Sequence, residues 1–119
     1  MEDRIVALWD PSDLPATERM LAGMQLTVKG TGNPLLLIFL LVRLARCQTQ
    51  QGRFEHAQET LNDIDFVLRG VQDRAPRERA WAALEKARFF EAAGWEARCQ
   101  AALEEAHGWA AEAGLTVEL

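Results

Sequence analysis

The stretch LVRLARCQTQQGRFEHAQETLNDIDFVL, residues 41–68, decides the fold. Its apolar pattern changes phase at Gly52. Upstream, Leu37, Leu41, Leu44, Ala45 and Gln48 fall on one helical face. Downstream, Phe54, Ala57, Leu61, Ile64 and Leu68 recur at alternating spacings of three and four. Two amphipathic helices follow from these spacings. Glycine suits the left-handed residue that closes the first helix, and the second begins only two residues later, which allows nothing but an antiparallel hairpin. Small Ala45 and Ala57 let the two backbones approach.

Working outward, Gly30-Thr31-Gly32-Asn33-Pro34 closes one helix and opens the next, with Asn33 as N-cap and Pro34 as first helical residue. Before it, Asp13 to Glu18 carries helix-start chemistry, and Met20, Leu21, Met24 and Val28 form an apolar face, so 13–30 reads as a leading helix. Residues 1–12 set the apolar patch Ile5 to Trp9 beside the turn residues Asp10-Pro11-Ser12, which predicts an irregular arm. On the other side, the first hairpin, 35–70, ends at Gly70, and a charged connector leads to Pro76 at the start of a second hairpin, 76–114. Gly94 follows Gly52 by 42 positions; Ala87-Arg88 then matches Ala45-Arg46, Cys99 matches Ala57, and Leu103 matches Leu61. The second hairpin reads as an alanine-rich copy of the first. Gly108 predicts a bend in its last helix, and residues 115–119 form a short apolar tail. The whole is one all-α domain of about five helices arranged as helical hairpins.

The spacing of Leu41, Leu44, Ala45, Gly52, Phe54, Ala57 and Leu61 resembles the tetratricopeptide repeat, a helix-turn-helix unit of about 34 residues. Gln48 stands where the repeat's first helix usually carries an aromatic. Trp9-Asp10, Pro15-Ala16-Thr17-Glu18, Gln51-Gly52-Arg53-Phe54-Glu55 and Ala110-Ala111-Glu112-Ala113-Gly114-Leu115 are similar to bacterial cytoplasmic tetratricopeptide proteins of unassigned function. The resemblance implies a right-handed superhelix of stacked hairpins whose first helices line a concave groove. Members of that group continue with a further helix, so it also implies an uncovered end face and self-association.

Composition narrows the function classes. The chain has 119 residues, 49% of them hydrophobic and 26% charged, which suits a single globular domain. A net charge of -5 argues against nucleic acid, whose binding depends on cationic neutralisation of phosphates. The longest apolar run, Leu35 to Val42, is eight residues against the roughly 20 needed to cross a bilayer, and it lacks the basic face of an interfacial anchor. Membrane association is therefore not expected. Two cysteines, Cys47 and Cys99, read as reduced thiols in a cytoplasmic protein. His56 and His107 lack metal-ligand spacing, and Cys47 with His56 lacks the strained loop of an activated nucleophile. The acidic pairs Asp63/Asp65 and Glu104/Glu105 splay around their helices. The reading has no catalytic residues, no cofactor and no metal.

What remains is a binding surface. The resemblance places Phe39, Val42, Arg46 and Thr49 from the first hairpin, and Trp81, Leu84, Arg88 and Glu91 from the second, along the concave groove. Arg46 and Arg88 occupy equivalent positions. Beside Trp81 they could grip a carboxylate or an acidic peptide. Alternatively, Arg88 pairs with Glu85 or Glu91 and Trp81 belongs to the core. A second expected surface, bearing Trp95, Leu103, Trp109 and Leu115, is the candidate for a homodimer contact. The expected function is thus a non-enzymatic scaffold that binds a protein or peptide segment. The alternatives are a structural homo-oligomer whose groove is filled by another copy, through its 1–12 arm or 115–119 tail, and a small helical enzyme.

Overall fold

The computed structural model describes residues 1–72 and 74–116. Among them the chain forms helices and turns only. Seven helical segments follow in order: α1 Glu2–Ala7, α2 Leu14–Gly23, α3 Gln25–Gly30, α4 Pro34–Gln50, α5 Phe54–Arg69, α6 Pro76–Ala92 and α7 Glu96–Ala113. Helices α4 and α5 make one antiparallel hairpin and α6 and α7 a second, which stacks on the first through α4 and α5.

Both hairpins turn by the same device. Gly52 has φ +74°, its N–H donates to the Thr49 carbonyl, and the Arg53 N–H donates to the Gln48 carbonyl at 2.9 Å. Gly94 has φ +81°, with Gly94 bonded to Glu91 and Trp95 to Phe90 at 2.8 Å. This pair of bonds satisfies the last carbonyls of a helix only when the residue after the cap is left-handed. Space around Gly52 is open, so a side chain there meets no obstacle but the backbone penalty. Gly52→Val is accordingly expected to lower the unfolding free energy by about 1–2 kcal/mol, measured by urea denaturation. An unchanged midpoint would mean that the turn is not left-handed.

Helix α4 is the hub, packing against α1, α2, α3, α5 and α6. Asn33 caps it by accepting from the N–H groups of Leu35 and Leu36, with Pro34 in the first turn. Ala45 and Ala57 are fully buried in the core. Gln48 is buried as well, and its environment explains the missing aromatic: its carbonyl accepts from the Thr60 hydroxyl at 2.6 Å, while its amide donates to Glu18 at 3.3 Å. Gln51 and Arg53 also bond to Glu18. One carboxylate on α2 thereby ties the hairpin turn to the preceding helix.

Three local expectations change. The leading helix 13–30 is interrupted at Met24, directly after Gly23, whose low helix propensity weakens the middle of that helix. The last helix passes through Gly108 without interruption, because Ala106 and Ala110 on either side are buried against the rest of the molecule. The arm is not irregular: α1 is a six-residue helix whose Ile5 is fully buried. Ile5, Leu8 and Trp9 share one face, and a helix this short is held by that tertiary contact rather than by propensity. Thr17 fastens its connection to α2. The Thr17 hydroxyl accepts from the Asp10 N–H at 3.0 Å and lies 3.0 Å from the Asp13 carbonyl, while the Asp13 carboxylate caps α2 through the Ala16 N–H.

Candidate functional site

Helices α4 and α6 lie side by side and present arginine and aromatic side chains at helical spacing. On α4 these are Phe39, Arg43 and Arg46; on α6 they are Arg77, Trp81 and Arg88. Phe39 and Trp81 meet edge to face, with ring centroids 5.6 Å apart. A guanidinium covers each ring. Arg43 sits 3.9 Å from the centre of Phe39, and Arg77 sits 4.7 Å from that of Trp81. The result is a paired aromatic ledge capped by two cations.

Next to the ledge, Arg46 and Arg88 converge on one carboxylate. Arg46 donates to Glu85 Oε1 at 2.8 Å through Nε, and Arg88 donates to the same oxygen. Glu85 is 2% exposed, and its Oε2 has no hydrogen-bond partner among the described residues. The second glutamate of this region, Glu78, is also buried and accepts from Arg77 at 2.9 Å. Arg43 forms no ion pair among the described residues. Its pKa is held below the usual arginine value, first by burial and then by the neighbouring charge of Arg46, with Glu85 and Glu2 pulling the other way. Cations here crowd together against few carboxylates, on a chain whose overall charge is negative.

Of the expected groove residues, Phe39, Arg46, Trp81 and Arg88 come together. Phe39 and Val42 are buried, so they act as floor rather than as contact surface. Thr49 and Leu84 are half-buried. Glu91 is turned elsewhere, lining a cleft between α6 and α7 with Glu96, Cys99 and Leu103. The carboxylate that Arg46 and Arg88 grip is this chain's own Glu85, on the same helix as Arg88. Arg43, Arg77 and Glu2 join the site although the groove expectation passed over them. The Phe39–Arg43 and Arg77–Trp81 pairs, each four apart on one helix, are the signal that could have found the two arginines.

The residues expected to form a self-association face do not make one patch. Trp95 opens α7 beside Phe89 and Phe90, 47% exposed. Trp109 lies fourteen residues further on, about 21 Å along the helix at 1.5 Å per residue. There the guanidiniums of Arg74 and Arg79 each lie 5.4 Å from its ring. Leu103 is half-buried and packs against Ala87, Cys99 and Ala102. Leu115 is exposed, and the end of the expected 115–119 tail, residues 117–119, lies outside the described residues.

Cys47 and His56 do not pair. The Cys47 thiol is buried and donates to the Leu14 carbonyl at 3.2 Å, whereas His56 is exposed. Burial, followed by the charge of Glu18, pushes the Cys47 thiol up, away from the reactive thiolate. Among the described residues no group of three or more histidine, cysteine or acidic side chains is placed to hold a metal, and no helix is long and apolar enough to cross a membrane. No protein-family model, no curated protein and no solved structure matches the chain.

Proposed function

We propose that this chain is a tetratricopeptide-type interaction module of the cytoplasm that binds an acidic segment of a partner protein across the α4 and α6 face, without catalysis. The observation that carries this reading is the excess of guanidinium over carboxylate. Four guanidiniums, those of Arg43, Arg46, Arg77 and Arg88, stand against three carboxylates, the buried Glu78 and Glu85 and the exposed Glu2, and Arg43 lacks an ion-pair partner among the described residues. A carboxylate brought to the ledge gains charge-assisted hydrogen bonds, while apolar side chains next to it rest on half-buried Trp81, which Phe39 backs from below. The negative charge of the rest of the chain repels acidic segments elsewhere and confines them to this face. Two buried, unpaired thiols support a reducing compartment.

The test is a fluorescence-anisotropy titration with a labelled peptide of alternating glutamates and leucines. Reversing Arg43 and Arg77 together to glutamate is expected to weaken binding by at least about tenfold, and added salt should weaken it further. Equal affinity for a glutamine-for-glutamate peptide, or no effect of the reversal, would overturn the reading. Exposed Trp95 supports a second reading, a homodimer formed through the second hairpin.

A further inference from the structure

The α4 and α6 face already carries a carboxylate of the chain's own N-terminus, that of Glu2. Helix α1 packs on α4, and Leu36, Leu40 and Arg43 form a stripe on the side of α4 turned away from Ala45 and the α5 contact. Leu40 in that stripe is fully buried, as is Ile5 of α1, and both belong to the same core cluster. Glu2 reaches the ledge itself. Its Oε1 lies 4.0 Å from Arg77 Nη2, and its charge is felt by Arg43. Met1 and Glu2 line a cleft of about 330 Å³ together with Asn33, Leu35, Leu36 and Arg77. Glu2 therefore stands opposite the two guanidiniums that cover Phe39 and Trp81.

Besides Ile5, only the half-buried Leu8 and Trp9 that follow the helix pack this arm on the core. Helix α1 is six residues long, no side chain caps its N-terminus, and Met1 and Val6 are exposed. The Glu2–Arg77 contact is half-exposed at both ends, so it contributes little attraction in water. Ile5 is the one fully buried anchor of α1. At the other end, the turn at Asp10 to Ser12 and the buried Thr17 fix the point about which the arm can swing.

We propose that residues 1–9 are a displaceable ligand in cis, and that the partner is a protein segment of the same chemistry, an acidic pair followed closely by an aliphatic anchor. The proposal rests on the acidic-segment reading above and adds its regulation. A partner binds only the fraction of molecules with the arm lifted, so its apparent affinity is reduced by that fraction.

The experiment uses the full chain and, as probe, a labelled synthetic peptide of residues 1–10. Ile5→Asp withdraws the anchor, and Glu2→Lys with Asp3→Lys removes the charge match at exposed positions without touching the core. Binding is read by anisotropy and folding by circular dichroism. Wild-type protein is expected to bind the probe weakly, Ile5→Asp about tenfold more tightly, and the double lysine variant severalfold more tightly. Adding Arg43→Glu and Arg77→Glu to either variant should abolish the gain. Should Ile5→Asp fail to fold, the double lysine variant carries the test alone. Equal binding by wild type and the arm variants would overturn the arm's role and leave the acidic-segment reading standing. No binding of either this probe or the glutamate–leucine peptide by any variant would overturn both.

Discussion

Glu85→Ala is expected to lower the unfolding free energy by about 2–3 kcal/mol, a large electrostatic effect for one side chain. Glu85 is the carboxylate on which Arg46 and Arg88 converge, and Arg43 stands next to them. Removing it takes from Arg46 and Arg88 the carboxylate that they share, beside the third guanidinium of Arg43. For a wholly buried pair such a deletion costs roughly 3–5 kcal/mol, because the surviving charge stays desolvated. Here the Arg46 and Arg88 side chains are 33% and 27% exposed, so water recovers part of the loss. Glu85→Gln keeps the shape and an accepting oxygen and should cost less. Urea denaturation of the three proteins checks the order. A change of under about 0.5 kcal/mol for Glu85→Ala, the size of an ordinary surface substitution, would show that the arginines do not depend on Glu85.

Ala57→Phe should cost about 1–3 kcal/mol, toward the upper end, through overpacking. Ala57 is fully buried between α4 and α5, where Ala45 faces the same interface. A phenyl ring has no space there, and the hairpin must open or the ring must leave its rotamer. Phe66 on the same helix is the control. It is 72% exposed, so Phe66→Ala should leave the unfolding midpoint almost unchanged. If Ala57→Phe were equally silent, the register of the hairpin would be wrong.

The parts of the fold legible in the sequence are those fixed by neighbouring residues. Gly52, Gly94, Asn33-Pro34 and Pro76 act through backbone conformation and capping within one helical turn, and each sits where its local chemistry places it. Helix α1 was not legible because its stability comes from burying Ile5 against a helix about thirty residues away, and six residues are too few to show a period. The interruption after Gly23 and the continuity through Gly108 are opposite outcomes for the same residue type. Two residues to either side of Gly108, Ala106 and Ala110 are both buried and hold its helix, whereas at the same spacing around Gly23 only Leu21 is buried and Gln25 is half-buried. The site follows the same division. The duplicated spacing showed Arg46 and Arg88 to be equivalent positions, and the resemblance to the tetratricopeptide repeat placed them with Trp81 on one side. The sharing of Glu85 joins positions 39 apart, and the approach of Glu2 to Arg77 crosses most of the chain. The Arg88–Glu85 half of the first contact is a local pair three residues apart, one of the alternatives that the sequence offered, whereas Arg46 reaching Glu85 and Glu2 reaching Arg77 leave no local trace.

The four tryptophans make one measurement decisive for the acidic-segment account. Trp81 stands on the ledge, Trp9 closes the arm, and Trp95 and Trp109 mark the two ends of α7. A proton–nitrogen correlation spectrum resolves an indole N–H signal for each, and the glutamate–leucine peptide is added stepwise. The Trp81 signal is expected to move, with Trp9 following as the arm lifts, while Trp95 and Trp109 hold their positions. A Trp81 signal that stays fixed while Trp95 or Trp109 moves would contradict the acidic-segment account and place the binding surface on the second hairpin.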